Sequence, residues 1–172
     1  MHGNETAAVP DRRFNGPSGW ISTKVKAPEP GTLGWKLNTK VTQLHVRLFQ
    51  ISGGRLGGTL DGAPLLVLHH TGAKSGARRQ TPAVHMRDGE NLVIVASLLG
   101  SDKNPAWYFN LRAHPDDVEV DVRGGRRAVR ARQADEEEAA SLWPRLIETY
   151  PPFKTYRERT GRVLPVMILE PR

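Results

Sequence analysis

The chain has 172 residues, 38% of them hydrophobic, and its 25 basic against 18 acidic residues give a formal net charge of +7. That length supports one packed core, and the absence of cysteine excludes a disulfide framework and any thiolate metal site. No stretch approaches the roughly 18 apolar residues of a spanning helix and the first residues carry no apolar leader, so the expected compartment is the cytoplasm. The positive charge implies an anionic partner: nucleic acid, a membrane surface or an acidic ligand. Nucleic acid fits least, because aromatic residues are only 6% of the chain and no recognition helix or ribonucleoprotein-type motif lies among the cations.

Residues 1 to about 32 mix Gly, Pro, charges and isolated apolar residues without period, which reads as a mobile arm. The barrel domain is expected from 33 to 172. Leu37, Val41, Leu44, Leu48 and Ile51 then recur in steps of four and three, predicting an amphipathic helix from about Gly34 to Ile51, stopped by Gly53-Gly54. Its basic positions, among them Lys36, Lys40, His45 and Arg47, allow two roles. The helix packs its stripe on the core, or it rests on anionic lipid as a peripheral membrane contact.

From Pro64 the pattern is β. Residues 64–70 form one strand, and 81–87 and 91–97 flank the turn Asp88-Gly89-Glu90. Residues 118–123 and 126–132 flank Gly124-Gly125, and Val118, Val120 and Val122 alternate with charges, which buries one face. Asp135 and Glu138 form a capping-box pattern ahead of a helix with the stripe Ala139, Leu142, Trp143, Leu146, Ile147 and Tyr150. Pro144 should kink or restart that helix. A closing strand over 163–169 carries Pro165, which argues for an edge or a bulge. About six strands joined mostly by hairpins, with few helices, predict a mainly β fold: a small antiparallel barrel with flanking helices.

Two segments stand out for chemistry. Thr71-Gly72-Ala73-Lys74-Ser75-Gly76-Ala77-Arg78-Arg79 follows the first strand and combines two glycines with three cations. Its glycines permit positive φ and inward N–H groups, and its cations offer charge-assisted hydrogen bonds to a phosphate or carboxylate. An ordinary solvated basic turn explains it equally well. In Ala96 to Leu111 a polar loop leads into a short helix starting near Pro105, with Trp107 and Asn110 on one face. His69 and His70 are adjacent in a strand and point to opposite faces, so a shared metal is not expected. No Gly-x-Ser-x-Gly elbow is present. An anion loop on a barrel without acid–base apparatus fits an enzyme whose cofactor carries the chemistry.

Lys74-Ser75-Gly76-x-x-Arg79, Thr81-Pro82, Val95-Ala96-Ser97 and Lys103-Asn104-Pro105-x-Trp107-Tyr108-x-Asn110-Leu111, followed by a last strand with Pro165, resemble the deazaflavin (F420)-dependent nitroreductase and quinone reductase family of actinobacteria. The resemblance runs from about residue 35 to the C-terminus. It implies a split β-barrel related to the flavin mononucleotide-binding barrels, with coenzyme F420 as cofactor. Carried over, Lys74, Ser75 and Arg79 would hold the phosphate region, and Thr81 and Pro82 would line the deazaflavin. Val95, Ala96, Ser97 and Leu98 would follow the ring, and Ala106, Trp107 and Asn110 would complete the pocket. Tyr150, Phe153 and Tyr156 would form the acceptor wall, with Ser97 and Tyr156 hydrogen-bonding the acceptor. Leu98 stands where the family pattern has a lysine, and Phe153 replaces a tyrosine of the wall. The implied reaction is hydride transfer from reduced F420 to a hydrophobic electron-poor acceptor such as a quinone or nitroaromatic. A flavin mononucleotide enzyme on the same fold, and a carrier that only binds deazaflavin, are the alternatives.

Overall fold

The computed structural model describes residues 44–172 apart from positions 45, 55 and 124. The expected arm, and the first part of the expected helix with Leu37, Val41, Lys36 and Lys40, lie outside the described residues. The chain continues through helix α1 (described over 46–51), β1 (Thr59–Leu60), β2 (Ala63–Thr71), β3 (Arg78–Asp88) and β4 (Asn91–Val95). Helix α2 (Ala106–Ala113), β5 (Val118–Val122) and β6 (Gly125–Gln133) follow, then α3 (Glu136–Thr149), α4 (Pro152–Arg159) and β7 (Val166–Pro171). Strands run in the order β1-β2-β3-β4-β7-β6-β5, and β5 pairs back onto β2. That last pairing closes β2 to β7 into a six-stranded antiparallel barrel, which among the described strands leaves only the two-residue β1 outside the ring.

Alternation along the strands sorts side chains between two apolar layers. Leu66, Leu68, Leu92, Ile94, Val118, Val120, Val129, Met167 and Leu169 fill the barrel, and Trp107, Tyr108 and Leu111 of α2 pack onto the same cluster. The opposite faces of β4 and β7, carrying Val93, Val95, Val166 and Ile168, pack under Leu142, Trp143, Leu146 and Phe153 of α3 and α4. Both faces of β4 are therefore dry, which explains why 91–95 reads as a nearly unbroken apolar run.

Several sequence expectations shift. Helix α3 is capped by Asp135, whose side chain accepts from the Glu138 N–H at 2.8 Å. It runs through Pro144 as one helix, and the break falls at Pro151-Pro152 instead. The carbonyl that Pro144 leaves without a donor belongs to Ala140, an exposed residue, so that carbonyl is open to solvent. Pro165 sits just before β7 rather than within it, and β7 is a central strand between β4 and β6. The Pro165 carbonyl accepts from the Ala96 N–H at 2.9 Å, so its missing donor costs the ladder nothing. Helix α1 turns a different face inward from the one its stripe predicts. Val46 and Phe49 are buried against Val67, whereas Leu44, Leu48 and Ile51 are 60%, 45% and 86% exposed.

Candidate functional site

Register places the predicted site at one end of the barrel. Leu66 opposes Ala83, Leu68 opposes Thr81 and His70 opposes Arg79, and directly opposed residues share a face. Because Leu66 and Leu68 point into the barrel, Ala83, Thr81 and Arg79 follow them on β3. That face passes from methyl to hydroxyl to guanidinium as it reaches the rim. Arg79 thus belongs to a strand rather than to the loop.

The loop between β2 and β3 is tightly self-bonded. The N–H of Gly72 donates to the Ala77 carbonyl at 2.9 Å, and the Gly76 N–H donates to the Gly72 carbonyl at 2.8 Å. The Ala73 N–H donates to Asn110 Oδ1 at 2.9 Å, and the Ala77 N–H to Ser75 Oγ at 3.3 Å. Gly76 uses its positive φ of 63°. Gly72 serves close approach instead, since a Cβ there would lie 2.5 Å from Ser75 Oγ. Four of the loop's backbone N–H groups, on Gly72, Ala73, Gly76 and Ala77, are therefore already spent within the protein, which leaves those of Lys74 and Ser75 from the cradle expected from the glycines. Anion binding at this loop falls mainly to side chains. Arg78 pairs with Asp117 at 2.8 Å and with Glu119 at 3.2 Å. Among the described residues Lys74 and Arg79 have no acidic partner, and both are exposed.

Behind the loop lies a buried polar chain. His70 and Asn110 are 2% and 7% exposed. Asn110 Nδ2 lies 3.0 Å from His70 Nδ1, and His70 Nε2 lies 3.1 Å from Thr81 Oγ1. Burial, reinforced by the Arg79 and Arg78 guanidiniums and by His69, pushes the His70 imidazole down to about 4. His69 points to the other face and contacts Asp121 at 2.7 Å, in a cluster with Arg126 and with Gln50 of α1. Burial would raise the Asp121 carboxyl, but bonds from Arg126, His69 and Gln50 outweigh it and hold it at about 2. Among the described residues no three His, Asp or Glu side chains gather as a metal would need.

The second wall is the segment after β4. Val95, Ala96 and Ser97 are buried and Leu98 is half-buried. Leu98, Leu99 and Gly100 adopt positive φ in succession, at 44°, 57° and 76°, which costs roughly 1 kcal/mol or more at each leucine. Arg162 holds this turn. Its guanidinium donates to the carbonyls of Ala96, Ser101 and Lys103 at 2.9, 2.9 and 3.0 Å and to Asn104 Oδ1 at 2.6 Å. Arg159 donates to the Leu99 carbonyl at 3.0 Å, and Thr160 donates to Asp102 at 2.7 Å. Neither His70 nor Arg162 was singled out as a site residue from sequence. The adjacent histidines were visible, but their partners are 40 and 11 residues away in the chain. Nothing in the run Thr160-Gly161-Arg162 marks a clamp.

Helix α2 brings Trp107 and Asn110 to the site on one buried face, with Ala106 exposed at its start. Pro105 is the N-cap rather than the first helical residue. Pro82 is half-buried but lies on the other face of β3 from Thr81, since it opposes Val67, which packs against α1. Tyr150, Phe153 and Tyr156 do come together, with ring centroids 5.0 to 6.3 Å apart, but they are 1 to 4% exposed. Here they form packing between α3, α4 and the barrel. A cavity of about 470 Å³ lies elsewhere, lined by Phe49, Leu65, His85, Val122 and Arg123 among others, and holds none of the sequence-predicted site residues.

Comparison with known proteins follows the same outline. Residues 41–171 match a family described as F420H(2)-dependent quinone reductase. An F420H(2)-dependent quinone reductase of Mycobacterium tuberculosis is 37% identical over 140 residues, spanning 79% of this chain and 93% of the relative. The solved structure of an F420-H2 dependent reductase superposes with a TM-score of 0.57 at 37% identity, covering 62% of this chain and 94% of that one. A structure described as a domain-swapped dimer gives a TM-score of 0.59 at 31% identity, over 77% of this chain and 99% of that one.

Proposed function

The chain belongs to the F420H(2)-dependent quinone reductase family, and from that premise we propose that it reduces a hydrophobic electron-poor acceptor, a quinone in the first instance, with reduced coenzyme F420. The observation that supports this reading best is the inward face of β3 with the loop beside it. There an apolar wall gives way to the Thr81 hydroxyl and then to two cations, Lys74 and Arg79, without acidic partners among the described residues. That sequence of surfaces fits a flat ring carrying a phosphodiester and an acidic tail. When bound, the reduced deazaflavin supplies the hydride.

The protein's part is to bind, align and exclude water. Lys74, Ser75 and Arg79 would hold the phosphate region; Thr81, with the chain at Pro82 and the segment Val95 to Leu98 that follows the neighbouring strand, would border the ring; Ala106, Trp107 and Asn110 would close it. Ser97 and Tyr156 are our candidates for hydrogen bonds to the acceptor. Tyr156 belongs to α4, whose backbone would lie 3.0 Å from a Cβ placed on Gly100 of the turn. Replacing Lys74 and Arg79 together with Ala removes two charge-assisted contacts of roughly 1.5–3 kcal/mol each. F420 affinity, read by fluorescence titration, should fall at least a hundredfold in a folded protein. Unchanged affinity would remove the phosphate assignment. Binding of flavin mononucleotide in preference to F420 would favour the flavin alternative. Tight F420 binding without turnover of any quinone would favour a carrier.

The exposed stripe Leu44, Leu48 and Ile51, with Arg47 exposed on the same helix, supports a peripheral contact with anionic membrane, where a lipid-soluble quinone resides. Among the described residues no helix is long and apolar enough to cross a membrane. Co-sedimentation with anionic but not neutral vesicles, lost on replacing Leu48 and Ile51 with Ser, is the expected result. Equal recovery on both vesicle types would leave the stripe without a lipid role.

A further inference from the structure

The polar chain behind the β2–β3 loop has a direction that its partners dictate. The Ala73 backbone N–H can only donate, so the Asn110 atom it meets at 2.9 Å is the carbonyl oxygen. The other end of that amide is then an NH2 group, and it donates to His70 Nδ1 at 3.0 Å. A bare Nδ1 on a neutral ring leaves the proton on Nε2. That proton faces Thr81 Oγ1 at 3.1 Å, so the threonine oxygen accepts. Its own hydroxyl hydrogen has no other side-chain acceptor among the described residues. Thr81 is half-buried on the inward face of β3, between Ala83 and Arg79, and that hydrogen is available to whatever occupies the site.

We propose that His70 is a positioning residue: by donating to Thr81 it commits the Thr81 hydroxyl to act as a donor, and so selects a hydrogen-bond acceptor on the bound ring, such as a carbonyl oxygen or an unprotonated nitrogen. This rests on the F420 reading above for the identity of the ring. The direction of the chain rests on the protein alone. A protonated His70 would offer a second donor to the Asn110 amide, which would have to turn and release Ala73 beside Lys74. Burial and the neighbouring guanidiniums keep the ring neutral at ordinary pH. The arrangement therefore links three places on the chain that touch the site: the loop at Ala73, helix α2 at Asn110 and strand β3 at Thr81.

The test uses the full chain and coenzyme F420 as the probe. Thr81→Val keeps the shape and removes the donor, His70→Phe keeps a ring and removes both nitrogens, and His70→Gln keeps a donor at the far end of the side chain. Loss of one such hydrogen bond should weaken F420 binding about three- to tenfold in Thr81→Val and in His70→Phe. The double variant should bind no more weakly than Thr81→Val alone, because His70 acts through Thr81. His70→Gln should recover most of the loss, which simple packing damage would not allow. If His70→Phe does not fold, His70→Gln set against Thr81→Val and their double variant carries the same comparison. Losses that multiply in the double variant, or a His70→Phe protein with wild-type affinity, would overturn the proposal. A second readout needs no cofactor: imidazole nitrogen chemical shifts of the unliganded protein should show His70 protonated at Nε2 and bare at Nδ1. The opposite tautomer would overturn the direction of the chain. Failure of the wild-type protein to bind F420 would instead count against the functional reading, with the tautomer result standing separately.

Discussion

Arg162 offers the most direct test of how the loop after β4 is held. Four of its contacts to the 96–104 segment are 3.0 Å or shorter, and two of the three carbonyl acceptors, on Ala96 and Ser101, belong to residues that are not exposed. Arg162→Gln strands those two carbonyls, while Lys103 and its neighbours can turn to water. Two lost bonds from a charged donor are worth about 3–6 kcal/mol. The turn at Leu98 and Leu99 also holds about 2 kcal/mol of left-handed backbone strain, and it relaxes once released. The net loss of global stability should therefore be only about 1–4 kcal/mol. Local order should suffer more. Gly100 and Ser101 donate their N–H groups to the carbonyls of Ser97 and Leu98 at 2.9 and 3.1 Å, and these amides report the turn directly. Hydrogen exchange followed by mass spectrometry should show protection over 96–104 lost in Arg162→Gln and partly kept in Arg162→Lys. Unchanged protection there in Arg162→Gln would refute the clamp.

Acid should weaken the fold through two buried histidines. Burial, with Arg87 and Arg127 nearby, pushes His85 down to about 4 despite a bond to the Pro64 carbonyl, and His70 lies equally low. Both bind fewer protons folded than unfolded, so stability is complete above about pH 6.5 and falls as pH drops toward 4. At pH 4.5 each histidine should account for roughly 2.5 kcal/mol, which urea unfolding between pH 4.5 and 8 can measure. A flat profile over that range would contradict the burial of both rings. Asp121, held at about 2, has a depressed folded pKa, so its contribution persists above about pH 3.8 and disappears only as pH falls toward 2. Leu98→Lys should tighten F420 binding several-fold, since a half-buried position beside Ser97 gains a cation and the φ of 44° strains either side chain alike. An unchanged or weakened affinity would place Leu98 away from the phosphate.

What local pattern could settle, it settled. Period-two alternation at Val118, Val120 and Val122 located β5 and its buried face. The Asp135–Glu138 spacing located the start of α3, because a cap is chosen by residues within one turn of it. The motif around Lys74 and Asn110 was legible for the same reason, since each part is short and carries its own residue types. Closure of the barrel through β2 and β5 was not, as a strand's partner is fixed by packing over about fifty residues of chain. Nor was the inward face of α1: the described part of its apolar stripe, Leu44, Leu48 and Ile51, stays exposed, because Phe49 and Val46 fit against Val67 while Gln50 reaches Asp121. Of the loop amides that sequence offers to an anion, those of Gly72, Gly76 and Ala77 are consumed within the loop and that of Ala73 by Asn110, the last only because α2 lies over the loop. Pro165 misled for a related reason: a missing N–H excludes a central strand only where the ladder needs that donor, and β7 begins one residue later. The polar chain through His70 and the clamp of Arg162 join groups 11 to 66 residues apart, and only the folded chain brings such groups within hydrogen-bond reach.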